Sequence, residues 1–313
     1  PDFINNAANK ISRRFGKGMG IKIHDIVKNE ILINLMKIDE KRLINFEPCV
    51  NSFSFVSPYW NPFTAIRWLA AKAIPAPKGS GPAATAGYAF YQTRSGYNFE
   101  SYDKFASKEP VARMVVGHNP DEMEDDSDLG IIPLNQLTVE SSVDLLKGLN
   151  LGSYSSNVMT LDLKDMKFEQ HPFNINKYYK DVSVMNSRVT PEFYSGFDTN
   201  QTYTRIMSKI SDSALFSEGT YTQDFTKQLS QASLREKLFY NKKVVVEFIS
   251  DYFLEIGEVV QLDVYKGTSD REQDYSVSGK YVIGKVERTF KTSQDKMTSR
   301  LTLYTDSDGE VVD

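Results

Sequence analysis

The chain has 313 residues, 40% of them apolar and 25% charged. That suits two or three globular domains, since single cores stop growing near ~250–300 residues. Lys plus Arg number 37 against 41 Asp plus Glu, a formal net charge of −4, so the basic excess of a duplex-wrapping protein is absent. No apolar run approaches the ~20 residues of a membrane-spanning helix. The longest candidate, Ala65 to Ile74, is interrupted by Arg67 and Lys72, and no membrane span is expected. A single cysteine, Cys49, excludes an intramolecular disulfide and a multi-cysteine zinc site. The first residues mix Lys10, Arg13, Arg14 and Lys17 with no apolar stretch behind them, unlike a secretory signal. The chain starts at Pro1 rather than Met, which points to an internal start within a longer gene product.

Residues 1–47 read as helical: Ile21, Ile23, Ile26, Val27, Ile31, Leu32 and Leu35 form one apolar stripe. Glycines 16, 18 and 20 break the chain before it. A second helix is predicted with Asn61 as its cap and Pro62 at its first position. Phe63, Ile66, Leu69, Ala70 and Ala73 fall on one of its faces, and Pro75 and Pro77 stop it. Residues 75–86, rich in Pro, Gly and Ala, read as a linker. The aromatic runs Gly87–Thr93 and Tyr97–Tyr102 around Arg94-Ser95-Gly96 predict a hairpin. Six acids in residues 121–128 predict a solvated loop. A second hairpin is expected from Ser156–Leu163 and Lys167–His171, whereas residues 172–221 carry only weak periodicity. A helix from about Gln223 to Phe239 follows. Four strands are predicted beyond it: Val244–Ile249, Val259–Tyr265, Lys280–Arg288 and Met297–Thr305. Their alternation (Val244, Val246, Phe248; Val260, Leu262, Val264; Leu301, Leu303, Thr305) gives each one buried face. The expected class is α+β: a small antiparallel β-barrel, C-terminal and discontinuous, plus a helix-and-hairpin α/β domain. The expected divisions are 1–130 for the helix/hairpin domain, 131–171 for strands joining the barrel, 172–241 for an irregular segment and helix, and 242–313 for the barrel.

No motif carries recognisable chemistry. Glycines 16–20 lack the Gly-Lys-Ser/Thr of a phosphate loop, so a hinge is expected. The acids of 121–128 fit no register of a calcium-binding loop. His24, His118 and His171 stand far apart and without ligand spacing. Ser80 lies between glycines but lacks the strand-to-helix setting of a nucleophile elbow. Cys49 has no histidine beside it in sequence, and a buried inert thiol is expected. The aromatics Phe53, Phe55, Tyr59, Trp60, Phe63 and Trp68 fit either a stacking platform or the anchoring of a helix start, and the second is expected. No catalytic, cofactor or metal residue is assigned. The candidate interface residues are Tyr252, Phe253, Leu254 and Tyr265.

The order of elements resembles a known family. Ser57 to Ala73 followed by Gly87 to Tyr102, then Gly152 to Leu163, then Leu254 to Leu262, Ser278 to Arg288 and Arg300 to Asp306 resemble the baseplate hub protein of contractile-tailed bacteriophages, related to the spike proteins of type VI secretion. The likeness runs in order over most of the chain, residues 172–221 excepted. It implies a structural virion protein of the tail baseplate, without catalysis or cofactor. The implied assembly is a homotrimer whose protomers each supply two similar barrels, joining a hexameric tail tube to a trimeric central spike. The implied partners are the chain itself, the tail tube protein, the central spike protein, and tape measure and baseplate wedge proteins. It also implies that residues near 131–171 add strands to the C-terminal barrel. Only one complete barrel is visible here, so the first would precede Pro1 or belong to a second gene. Ten basic and eleven acidic side chains in residues 242–306 leave no DNA-clamping stripe, as suits a channel that passes DNA. Two other readings are a tail-associated cell-wall hydrolase, which needs two carboxylates ~5–10 Å apart, and a carbohydrate- or nucleic-acid-binding barrel.

Overall fold

The computed structural model describes residues 2–16, 20–75, 87–117, 129–141, 146, 150, 155–162, 166–174, 184–189, 205–211, 232, 235–240, 242–249, 253–266, 272–291 and 296–309. Most of the 75–86 linker, the acidic run 121–128 and most of 172–221 lie outside these residues, as do His118, Ser80 and Tyr252. The helices are α1 (Asp2–Ala8), α2 (Ile23–Asp25, continuing as Ile26–Leu35), α3 (Pro62–Ala70) and α4 (Tyr102–Ser107). The strands longer than two residues begin with β1 (Leu43–Phe46), β2 (Tyr88–Gln92), β3 (Tyr97–Ser101), β4 (Arg113–Val116), β5 (Ile131–Pro133) and β6 (Gln136–Ser141). They continue with β7 (Ser155–Asp162), β8 (Lys167–Asn174), β9 (Arg205–Ser211), β10 (Lys242–Ile249), β11 (Val259–Val264), β12 (Gly279–Lys291) and β13 (Lys296–Thr305). They form an α+β chain of two compact units.

The first unit contains α1–α3, β1–β3 and β7–β9. The predicted stripe of α2 is real: Ile23, Ile26, Val27, Ile31 and Leu32 are fully buried. From Ile26 to Leu35 its winding is the wider π form, and it ends with the Met36 N–H donating to Ile31 O at 2.9 Å. The helical reading of 1–47 overreaches, because Arg14–Phe15 and Ile21–Lys22 pair with Phe55–Val56 and Ser52–Phe53, and β1 is extended. Gly16 is not a simple hinge. At φ +72 it lies so close to the chain that a Cβ would stand 2.7 Å from Phe53 O, a place only glycine fills without strain.

Helix α3 begins at Pro62 as predicted, but its cap is borrowed. Asn61 makes no capping bond; instead Oδ1 of Asn6, in α1, accepts from the Phe63 N–H at 2.7 Å. The other end of Asn61 donates to Asn6 O. The predicted hairpin is β2–β3, with β1 added parallel to β3. Phe63 of α3 meets Phe90 and Tyr97 of this sheet with ring centres 5.4 and 6.1 Å apart. A polar lock joins distant parts: Asp2 accepts from Arg42 at 2.7 Å and from the Tyr97 hydroxyl at 2.9 Å. Burial, then the bond to Asp2, pushes the Tyr97 hydroxyl up to about 12.

The second predicted hairpin exists as β7–β8, but it does not join the C-terminal strands. β7 pairs with β8 on one side and with β9, parallel, on the other. β9 comes from the stretch whose sequence carried no clear period. Of the expected helix over 223–239, the described residues 235–239 are helical.

The second unit begins at Asp103 and holds one seven-stranded sheet, ordered β6-β10-β13-β12-β11-β4-β5. The division therefore precedes β4 rather than falling near residue 130. Within the sheet β11–β4 and β4–β5 are parallel and the other neighbours antiparallel, so the sheet is mixed rather than purely antiparallel. Its two edge strands, β5 and β6, are separated in sequence by Leu134 and Asn135 alone. Such a link spans at most about 11 Å, whereas the outer strands of a flat seven-stranded sheet would stand roughly 29 Å apart. The sheet must curl until its edges meet. The linker itself bridges the gap, since Leu134 N–H donates to Val115 O of β4 and Asn135 N–H to Glu247 O of β10. The ladder does not close, because β5 and β6 do not pair; the predicted barrel is an open, curled sheet.

One core fills the curl. Met114, Ile132, Leu137, Val244, Val246, Phe248, Val260, Leu262, Tyr281, Ile283, Leu301 and Leu303 bring side chains from all seven strands into a single cluster. In β12 the inward series runs 281, 283, then 286, because a bulge between Ile283 and Lys285 shifts the alternation by one. Asn186 pins a separate segment to this sheet. Its side-chain N–H groups donate to Lys280 O, Thr305 Oγ1 and Ser307 O, and its Oδ1 accepts from Lys280 N–H at 2.6 Å. Gly279 makes room for it: at φ +143, a Cβ there would stand 2.7 Å from Asn186 Oδ1.

Candidate interface

The interface residues expected from sequence separate. Leu254 is buried in the core of the second unit and offers no side chain to a partner. Phe253, beside it, is 74% exposed. Tyr265 is half-buried just past β11, bridging to Gln273, near the Arg113–Asp263 ion pair. Because β11 and β12 run antiparallel, Tyr265 lies near the start of β12, the opposite end from Lys291.

Sequence reasoning missed Phe290. Past residue 283, β12 has left β11 and continues with β13 as a ribbon whose β12 side is exposed at every position but Val286. Phe290, 61% exposed, sits on it opposite Met297. Two residues earlier, on the same face, Arg288 donates to Leu254 O at 2.7 Å. That bond brings Phe253 to the end of the unit where Phe290 stands. A phenylalanine within a strand reads as core; what exposes this one is the early end of β11, which local sequence does not announce. Ile249, the last residue of β10 and 55% exposed, pairs with Thr298 one register position away, on the opposite face.

The outer face of the sheet is charge-paired. Arg300 lies opposite Glu247 on one side and Glu287 on the other. Lys243 pairs with Glu140, and Lys285 with Glu287 at 2.5 Å. The Lys243 ammonium beside it, first by hydrogen bonding, holds the Glu140 carboxyl below its ordinary value. Three acids thus meet three bases in a neutral, solvated ladder. Exposed pairs of this kind add little to stability and give no strong field of either sign.

The other singled-out groups resolve as follows. The aromatics Phe53, Phe55, Trp60 and Trp68 pack on one another, Trp68 within 5.0–5.5 Å of the other three, so they anchor the helix; Tyr59 alone is 67% exposed. His171 lies 3.4 Å from Thr160 Oγ1 and 3.6 Å from Glu169. Among the described residues no group of three or more His, Cys, Asp and Glu could hold a metal ion, and no helix is long and apolar enough to cross a membrane. Cys49 does have a histidine beside it, His24, 25 residues away in sequence, with Nδ1 to Sγ at 3.2 Å. The arrangement is not that of an activated thiol. His24 Nδ1 already accepts the Cys49 backbone N–H at 3.0 Å, and the thiol accepts from His24 N–H while donating to Asn51 O. Burial pushes the thiol up from its ordinary value.

No protein-family model matches the chain, and no curated protein does. Among solved structures it is similar to the crystal structure of the tail protein from Neisseria meningitidis MC58, with a TM-score of 0.49 and 10% identity, over 95% of this chain and 70% of that one.

Proposed function

We propose that this chain is a structural virion protein of a phage tail, a baseplate hub of a contractile tail that assembles as a trimer between the tail tube and the central spike. Two things support the reading: the ordered sequence resemblance over most of the chain, and a C-terminal sheet completed by upstream strands, of which 131–141 belong to the 131–171 stretch that the resemblance assigns to it while 155–174 do not join. The second carries it. Strands β4–β6 complete a curled sheet with β10–β13, and the Leu134–Asn135 link brings its edges together. The chain works by holding partners rather than by turnover, and it uses no cofactor. The end of the sheet that carries Phe253 and Phe290, 74% and 61% exposed, is the contact with a second copy.

The test is the native mass by light scattering behind gel filtration. A trimer that persists on dilution is expected, and the double substitution Phe253→Ser and Phe290→Ser should shift it toward monomer. A wild-type chain that stays monomeric at every concentration overturns the hub reading.

A further inference from the structure

Cys49, Val50 and Asn51 form a short connection whose backbone bonds lead in two directions. Toward α2, Cys49 N–H donates to His24 Nδ1 at 3.0 Å and Asn51 O accepts from Ile23 N–H at 3.3 Å. Lys22 Nζ adds bonds to the carbonyls of Cys49 and Val50. Toward the end of α3, Val50 N–H donates to Ile74 O, Asn51 Nδ2 to Lys72 O, and Asn51 Oδ1 accepts from Ile74 N–H. The connection therefore couples the start of α2 to the end of α3, with one titratable acceptor among its bonds.

We infer that His24 is an acid-sensitive latch: neutral, its Nδ1 lone pair holds the Cys49 N–H, and a proton on Nδ1 removes that acceptor and loosens Cys49 on the α2 side, where the bonds from Ile23 and Lys22 remain. An imidazolium has two N–H donors and no lone pair, so bond and proton exclude each other at this atom. The charges around the ring are known. On its own helix Asp25 Oδ1 lies 3.7 Å from Nε2, and Lys28 stands farther along. From the preceding strand comes Lys22, and from the facing segment the neutral Cys49 thiol. Glu47 turns away to Ser101, and Lys72 at the end of α3 lies over the Trp68 ring. Burial, opposed by Asp25 and aided by the two lysines, lowers His24 from its ordinary value of 6.5. A depressed value in the folded state means the contribution is full above pH ~6.5 and fades as pH falls through the lowered value.

Cys49, the one cysteine of the chain and 1% exposed, reports the opening. The full chain is labelled with 4,4′-dithiodipyridine from pH 7.5 to 5, each rate divided by that of free cysteine at the same pH to remove the change in thiolate fraction. The latch predicts that this ratio rises at least ~10-fold toward pH 5, with Trp60 and Trp68 emission unchanged, and that His24→Gln abolishes the rise. A constant ratio, or the same rise in His24→Gln, overturns it. If that variant does not fold, hydrogen exchange of the Cys49 amide in the wild-type chain decides. Protection corrected for the intrinsic rate should fall as the pH drops below the ordinary imidazole range, and protection that stays constant overturns the latch.

Discussion

The two units solve the same burial problem differently. The second takes alternate residues from seven strands into one core, so its inside is a repeat of Val, Leu and Ile set by strand geometry. The first packs a widened helix, a nine-residue helix and a small sheet around stacked aromatics, and fastens them with single polar bonds between residues far apart: Asn6 to Phe63, Asp2 to Arg42 and Tyr97, Cys49 to His24. Periodic packing can be extended strand by strand, whereas irregular packing depends on particular side chains having no substitute. Losses in the first unit should accordingly be local and specific, and those in the second cooperative across the sheet.

Both tryptophans, Trp60 and Trp68, belong to the first unit, which allows the comparison to be broken experimentally. The largest effect is expected from Phe99→Ala. Phe99 is fully buried between Tyr88 and Phe46, and its truncation should cost about 3–5 kcal/mol, read as an earlier midpoint of tryptophan emission in urea. Leu303→Ala in the second core should cost about 2–5 kcal/mol, shifting the far-ultraviolet circular dichroism transition while the tryptophan midpoint stays put. A joint shift of both signals would show that the units unfold as one. Asn186→Ala sharpens the view of the sheet. It strips the partner from Lys280 N–H and should cost about 1–3 kcal/mol in the same dichroism transition. Gly279→Ala disturbs the same pin, so the double variant should lose less than the sum of the two. The smallest effect is Asp2→Asn, under about 1 kcal/mol because Arg42 is well exposed. Arg42, chiefly by hydrogen bonding, holds the Asp2 carboxyl below its ordinary 3.8. Its contribution is therefore present above about pH 4 and lost as pH falls through the lowered value, so the variant should flatten the acid side of the tryptophan profile.

Legibility in the sequence follows the same division. The strands of the second unit stand where alternation puts them, with Val244, Val246, Phe248, Leu301 and Leu303 buried as read. Helix α3, the β2–β3 hairpin and the buried stripe of α2 were equally visible, each being a local pattern longer than its own noise. Asn61 shows the limit: its position and residue type are those of a cap, yet Asn6 took the bond. Of the residues expected at an interface, Phe253 is exposed, Leu254 buried and Tyr265 half-buried. Phe253 and Leu254 are both large apolar residues, and only the turn of the folded chain sends one to solvent and the other to the core, while Phe290 was hidden among core-like residues of a strand that outruns its partner.

By itself, then, the sequence determined the α+β class, the strands of the C-terminal unit with their buried faces, and the absence of any motif with recognised chemistry. These are short-range facts, carried by periods of two and about 3.6 residues along the chain. Tertiary structure decided that β4 joins β5 and β6 beside the C-terminal strands while β7 and β8, expected there too, go elsewhere with β9. It also set His24 against Cys49 and left Phe290 in solvent. Each of these depends on pairing between residues tens to more than a hundred positions apart, which no local period along the chain records.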